Sequence, residues 1–402
     1  MRIGVITPTP TPYRDPFWNE VARQPDVELD VYYCSAGTKD RPWDVSWSLD
    51  FRAEVLPGRN LAAWRGMDGY CFWNPGLRRR LRDGRYDALI FGGYNHVTML
   101  SGIRYAIRHR IPYFLMNEVY LAQPRRWWRR VIKGMPLRYI VRNATGFFPT
   151  GTLAAEYLEH YGASARDMCP CPNVPDVDAY WRLALELSRE RSALRAEAGL
   201  GEEPVVLFVG RLIPLKQVDT LLRAFSSVVK GQPTKLVVLG DGPIRPELES
   251  LAAALGIAEQ VCFRGFLAPE ELPKWYAMSD LFVLPSSDET WSVVVLEALA
   301  SGLPVVVTKL VGCYADVVVN PAVGTVVPPC DATALAAAMA GRLDCTISRE
   351  KVAEAWAPVR EKMRYPVLAE QMVKTLRRAV GQADAPVVSN RPGRRLSPTI
   401  GG

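Results

Sequence analysis

The sequence predicts an α/β chain made of two doubly wound parallel-sheet units. Three observations carry that expectation. Short apolar runs of strand length alternate with patterned helical stretches, the β-α-β-α order that builds a parallel sheet. The 402 residues, 49% of them hydrophobic, suffice for two cores. A proline-punctuated linker, CPCPNVPDVDAYW (169–181), separates two such alternating runs.

The first unit opens with a strand over 2–7, followed by a proline-rich loop over 8–13. A helix is expected over 17–23 and a strand over 27–35. Residues 36–75 are rich in Trp, Gly, Pro and charge, with a strand near 51–57. Strands follow over 86–93, 111–118 and 144–151, with helices over 98–110 and 151–161. Beyond the linker, a charged helix over 183–198 leads into the second unit. Its first strand is 205–209, and the apolar run LFVLP (281–285) reads as a buried parallel strand. The last helices lie within 349–379, and 381–402 lacks periodicity and reads as a disordered tail.

Composition narrows the class. No run of eighteen apolar residues occurs, so no spanning helix is expected. The amino terminus reads as a strand rather than a signal peptide. Eight scattered cysteines read as reduced thiols of a cytoplasmic protein, and no metal site is expected. A net charge of +7, from 49 basic and 42 acidic residues, suits anionic ligands or an anionic surface.

Two segments carry chemistry. In LPSSDETWSVVVLEALASGLPVVVT, Glu289 lies on the loop after a strand, and Glu297 lies one turn inside the next helix. Two carboxylates there can grip hydroxyls of one ligand while the helix amino end holds its anion. In VVLFVGRLIPLKQVDTLLRAF, Gly210 ends a strand and admits a ligand to the backbone. Arg211 and Lys216 then form a cationic cup suited to phosphates.

These segments resemble the retaining glycosyltransferases of family 4. The resemblance rests on GRLIPLK (210–216), LVVLGDGP (236–243), VCFRGFLAPEELPKWYAMSDLFVLPS (261–286), the E-x7-E element within 288–308, VGCYADVV (311–318) and GTVVPPCDATALAAAM (324–339). It implies the GT-B fold, two Rossmann-like domains facing across a cleft. The expected domains are 1–175 on the acceptor side and 176–345 for the nucleotide sugar, with helices near 355–379 crossing back to the first.

The activity implied is that of a hexosyltransferase moving a sugar from a nucleoside diphosphate sugar (UDP-, GDP- or ADP-linked) to an acceptor hydroxyl with retention. No metal or other cofactor is expected. Arg211, Lys216 and the amides around Trp291, Ser292 and Val293 would stabilise the leaving diphosphate. By resemblance Glu297 would bind the ribose hydroxyls and Glu289 the donor sugar, with Gly265 and Phe266 against the nucleobase.

Several positions depart from the family pattern. The usual Gly-Phe pair after the first glutamate is Thr290-Trp291, whose indole either restricts the donor sugar or simply packs. A catalytic histidine expected after a late strand of the first domain is replaced by Asn117 and Glu118, and the nearest histidine is His96. His96 and Glu118 are therefore both candidates near the donor sugar. The glycine-rich first loop is replaced by TPTPTPYR, a stiff loop whose Pro10, Tyr13 and Arg14 would shape the acceptor side.

Residues 123–144 interleave Arg125, Arg126, Arg129, Arg130, Lys133, Arg138 and Arg142 with Trp127, Trp128, Ile132, Leu137 and Ile140. This is either a peripheral membrane contact on the inner face or a solvated helix packed on the first domain. The acceptor would be a sugar, a lipid-linked precursor or a small molecule. Nucleic acid is not expected as a partner. Two other readings stand beside the transferase: a sugar-nucleotide 2-epimerase or hydrolase on the same scaffold, and a catalytically silent sugar-nucleotide-binding subunit.

Overall fold

The computed structural model describes residues 1–37, 48–62, 70–122, 127–345 and 347–383. Its first sheet takes β1 (Arg2–Thr7), β2 (Glu28–Tyr33), β3 (Arg52–Val55), β6 (Ala88–Phe91), β7 (Tyr113–Asn117) and β8 (Gly146–Pro149), in the order β3-β2-β1-β6-β7-β8. Between them β4 (Arg59–Asn60) and β5 (Phe72–Trp73) form a separate antiparallel pair. The helices of this half are α1 (Asp15–Ala22), α2 (Leu77–Gly84), α3 (Val97–His109), α4 (Trp127–Asn143) and α5 (Thr152–His160).

The second sheet repeats the plan. Its strands are β9 (Val205–Val209), β10 (Lys235–Leu239), β11 (Val261–Gly265), β12 (Leu281–Leu284), β13 (Val305–Thr308) and β14 (Gly324–Val327), in the order β11-β10-β9-β12-β13-β14. Its helices are α6 (Val177–Ser188), α7 (Arg191–Glu197), α8 (Val218–Gly231), α9 (Arg245–Ala254), α10 (Leu272–Met278), α11 (Val293–Ala300), α12 (Tyr314–Val317) and α13 (Ala332–Asp344). All neighbouring strands within both six-stranded sheets run parallel. Helices α14 (Arg349–Lys362) and α15 (Tyr365–Ala383) close the described chain.

Side-chain alternation explains the layers. In β1, Ile3 and Val5 belong to one apolar cluster and Ile6 to another, on opposite faces of the sheet. Strand β7 does the same, with Phe114 and Met116 on one side and Tyr113 and Leu115 on the other. The central strands of the second sheet, VVLFV and LFVL, are buried throughout, as parallel strands covered on both faces must be. The cluster under α1 is continuous with the core of the second sheet. Helix α15 packs on α1, with the Tyr365 hydroxyl donating to the carbonyls of Val174 (2.9 Å) and Tyr13 (3.3 Å).

Three expectations need correction. The linker ends earlier than 181, because Asp176 caps α6 by accepting from the amide of Ala179 at 2.9 Å. The single helix over 183–198 is two helices, α6 and α7, separated at Arg189 and Glu190. Helix α15 runs on to Ala383, and the rest of the 381–402 tail lies outside the described residues.

Within the basic stretch 123–144, α4 takes Trp127–Asn143; residues 123–126 and the side chains of 127–133 lie outside the described residues. Leu137 and Ile140 are buried in the first domain's core, so they do not belong to an outward apolar face. Met135 and Tyr139 are the large apolar side chains that α4 exposes among the described residues. No helix among the described residues is long and apolar enough to cross a membrane. All eight cysteines are free thiols.

At the carboxyl ends of β9 and β10 the backbones nearly touch. Gly240 has φ +128°, and a Cβ there would stand 1.9 Å from the carbonyl oxygen of Gly210. Both the dihedral and the contact exclude a side chain. Gly240→Ala is therefore expected to lower the unfolding free energy by roughly 2–4 kcal/mol. Urea unfolding should show a lower midpoint at unchanged m-value.

Candidate active site

In a doubly wound sheet, ligands bind beyond the carboxyl ends of the strands, where the strand order reverses. In the second sheet that point lies between β9 and β12. The loop after β9 carries Gly210, Arg211 and Lys216, and the loop after β12 carries Ser286 to Ser292. The two loops are joined, because the amide of Ser287 donates to the carbonyl of Leu215 at 2.8 Å. Lys216 Nζ donates to Glu289 Oε2 across the gap. Thus two residues 73 positions apart, picked out separately in the sequence, meet at the switch point.

The backbone of Glu289 is fixed on its other side. Its amide donates to the carbonyl of Leu310 at 3.0 Å, and its own carbonyl accepts from Gly312 at 2.8 Å. The Leu310 oxygen also accepts from the hydroxyl of Tyr120, in the first domain, at 2.9 Å. Tyr120 is buried, and burial pushes its phenol up to about 12. One carbonyl oxygen therefore ties the first domain to the glutamate of the second.

Helix α11 begins immediately after this loop. Ser292 is its N-cap residue in extended conformation, and its side chain makes no capping bond. The first amides of the helix, at Val293 and beyond, are thus left for a ligand. Glu297 follows one turn later, and only 9% of it is exposed. Its Oε2 accepts from the hydroxyl of Tyr276 at 2.7 Å, and Tyr180 supplies a second hydroxyl. Gly265 ends β11 with φ +77°, and Phe266 beyond it is 62% exposed.

Of the two readings of the Trp291 indole, the structure favours packing. Trp291 is buried, and its Nε1 donates to the carbonyl of Asn173 in the linker at 2.8 Å. Its indole packs the domain junction instead of bordering a ligand. A Cβ on Gly151, in the first domain, would stand 2.5 Å from both the Trp291 ring and the Asp316 carboxylate. Asp316 accepts from the amide and hydroxyl of Thr152 at 3.1 and 2.7 Å. It thereby caps α5 from the opposite domain.

The first sheet reverses order between β1 and β6. The loops at that point hold Pro8 to Arg14 and Gly92 to His96, so the proline loop and His96 share one mouth. Pro10 is buried and Tyr13 half-buried. Arg14 is corrected: its Nη1 and Nη2 donate to the Sγ and carbonyl of Cys171 at 3.3 and 3.1 Å. Its guanidinium also lies over the Phe17 ring, so it clasps the linker instead of facing an acceptor.

His96 Nδ1 accepts from the amide of Phe72 at 3.3 Å, and burial pushes its pKa down to about 4. The neutral ring then carries its proton on Nε2, which can donate but cannot act as a base. Glu118 Oε1 accepts from Asn173 Nδ2 at 2.7 Å, on the same linker residue that holds Trp291. Sequence reasoning missed Tyr120, Asn173, Tyr276 and Asp316. Each acts through a bond to a residue at least 21 positions away, which leaves no local signature.

Burial raises the Glu297 carboxyl to about 7 from its usual 4.5, against the lowering effect of the Tyr276 and Tyr180 hydroxyls. Between those values the folded protein keeps a proton that the unfolded chain has released. This contribution to stability therefore falls as pH rises through that window. It amounts to about 3 kcal/mol at most. Glu297→Gln is expected to gain stability relative to the wild type between pH 5 and 8. Urea midpoints that keep a constant separation over that range would contradict the assignment.

Residues 190–357 match the family model described as glycosyl transferases group 1. The chain is 35% identical over 170 residues to the alpha-D-kanosaminyltransferase of Streptomyces kanamyceticus, covering 42% of this chain and 44% of that protein. It is 34% identical over 250 residues to the D-inositol 3-phosphate glycosyltransferase of Geodermatophilus obscurus, covering 58% and 54%. The chain thus spans about half the length of these curated relatives. Among solved structures, Anabaena HepE in complex with UDP superposes with a TM-score of 0.72 at 18% identity, over 94% of this chain and 100% of that one. WaaG, a glycosyltransferase of lipopolysaccharide biosynthesis, gives 0.62 at 19% identity over 94% and 100%. At such identities the likeness establishes architecture: the chain has the GT-B fold, and its residues 190–357 are similar to the glycosyl transferases of group 1.

Proposed function

We propose that the protein is a retaining hexosyltransferase that moves a sugar from a nucleoside diphosphate sugar to an acceptor hydroxyl. The observation that carries this reading is the Lys216–Glu289 pair at the switch point, beside the uncapped amino end of α11. A lysine and a carboxylate held together there are already placed for a donor that bears phosphate and hydroxyls together. The donor would separate the pair, with its diphosphate taking Lys216 and a sugar hydroxyl taking Glu289. HepE, which shares the fold, was solved with UDP and with UDP-glucose, which supports a sugar nucleotide as donor.

As the bond between the anomeric carbon and the diphosphate oxygen breaks, charge gathers on the phosphates. Arg211, Lys216 and the amides of Ser292 and Val293 meet it. These fixed charges take the part a divalent cation would otherwise play, so metal-independent turnover belongs to the same proposal. The acceptor oxygen bonds to the anomeric carbon on the same face, and its proton passes to a donor phosphate oxygen. Phe266 offers an exposed ring to the nucleobase. Glu297, held by two tyrosines, offers its remaining lone pairs to the ribose. His96 Nε2 serves as a hydrogen-bond donor near the transferred sugar.

The acceptor belongs to the first-domain mouth formed by Pro10, Tyr13 and the His96 loop. A sugar, a lipid-linked precursor or a small molecule fits this reading. A cytoplasmic protein resting on the inner membrane face through residues 123–144 is part of the proposal for lipid acceptors.

Thermal unfolding with UDP, GDP, ADP and dTDP tests the donor site. At a hundredfold excess over the dissociation constant, the correct nucleotide should add about 2.7 kcal/mol of stability, and Lys216→Ala should abolish the shift. No shift with any of the four overturns the reading. Tyr120→Phe should leave nucleotide affinity within about twofold while lowering kcat about tenfold. The loss of one hydrogen bond of about 1 kcal/mol releases the Glu289 loop. Equal losses in affinity and kcat would show that Tyr120 only supports the fold.

A further inference from the structure

The amino-terminal edge of the second sheet holds a cavity of about 440 Å3. Its wall includes residues that immediately precede β9, β12 and β13, so it lies at the end of the strands opposite the donor loops. Four arginines line it: Arg191, Arg195, Arg342 and Arg349. The carboxylates on its wall are Asp280, Glu202 and Glu350. Glu202 and Glu350 are exposed and form no ion pair with these arginines among the described residues.

Asp280 alone serves two of the four. It accepts from Arg191 Nη2 at 2.6 Å and from Arg195 Nη2 at 2.7 Å, and it also takes the amide of Val205. Among the described residues Arg349 bonds only to carbonyl oxygens, those of Ser301, Tyr276, Ala277 and Ser279. They lie at the carboxyl ends of α10 and α11, where a cation is favoured. Arg342 gives Nε to Thr325 Oγ1 at 2.9 Å. Its two Nη groups have no hydrogen-bond partner among the described residues, and neither do Nε and Nη1 of Arg191.

Charge and donors are thus left over on a half-buried wall. Burial lowers the pKa of Arg342, and burial with the neighbouring Arg191 and Arg195 lowers Arg349 to about 10. These donors are open to the water of the cavity, and an anion there replaces that water with charge-assisted hydrogen bonds. The volume falls within the roughly 300–1,000 Å3 of small-molecule sites. Guanidinium forks match phosphate oxygens in pairs.

We propose that this cavity is a second ligand site, which binds a phosphate group, free or carried on a small molecule, through Arg191 and Arg342. Arg195 and Arg349 build the wall and supply background charge. Arg349 also joins the cavity to Ser301 at the carboxyl end of α11, the helix whose amino end faces the donor cleft.

The test is a set of thermal-unfolding titrations with inorganic phosphate and with glucose 1-phosphate, each against chloride at matched ionic strength. The full chain is compared with Arg342→Gln, Arg191→Gln and Lys216→Ala. The expected result is a saturable rise in Tm in the wild type and in Lys216→Ala, at least tenfold weaker in both arginine variants. Far-UV circular dichroism reports whether each variant is folded, and because Arg191 and Arg342 are substituted separately, one unfolded variant leaves the other to decide. A larger shift with glucose 1-phosphate identifies a carried phosphate, and equal shifts identify phosphate alone. No rise at millimolar concentrations overturns the proposal. So does a rise lost in Lys216→Ala and kept in the arginine variants, which would place the anion in the donor cleft.

Discussion

The carbonyl oxygen of Leu310 receives two hydrogen bonds from two domains. Tyr120 donates from the first sheet's side and the Glu289 amide from the second. Around it run the other contacts of the seam: Trp291 on Asn173, Asn173 on Glu118, and Asp316 on the amino end of α5. Each such bond is worth about 1 kcal/mol net, more where a charge takes part. Together they set the orientation of the halves to within a few kcal/mol, an energy that ligand binding can match. Glu289 is the residue on which this balance bears, because its side chain meets Lys216 while its backbone belongs to the seam. Gly151 permits the arrangement, since a Cβ there would press on the Trp291 ring and the Asp316 carboxylate and force one of them to shift.

The two halves use one topological device twice. Each sheet reverses its strand order beside its first strand, and each reversal opens a crevice at the carboxyl ends. In the second sheet the crevice is charged and holds Lys216 with Glu289. In the first it is stiff and aromatic, with a proline loop on one side and His96 against Phe72 on the other. The chemistry of each crevice follows from a handful of loop residues, while the strands beneath supply the rigid floor.

Much of this was legible in the residues. Buried parallel strands announce themselves as unbroken apolar runs, and LFVL and VVLFV lie where those runs predict. The loops after them, with the first turn of α11, carried the glycine, charge and spacing that named Gly210, Arg211, Lys216, Glu289 and Glu297. What escaped was any role defined by a distant partner. Trp291 and Arg14 look like ligand contacts by position, yet their polar atoms turn to the linker carbonyls of Asn173 and Cys171. Sequence spacing describes neighbours along one element. It does not say which of two buried surfaces a side chain will find.

Helix α15 covers the apolar face of α1, where Phe17, Trp18 and Val21 are buried, although the two helices lie more than 340 residues apart. During synthesis the first sheet can close early, but this face stays wet until α15 emerges. At translation rates of about 5–20 residues per second, that interval lasts on the order of a minute at the slow end. The nascent chain therefore carries an uncovered aromatic patch throughout the making of its second domain. Helix α15 thus completes a unit whose other parts were made long before it.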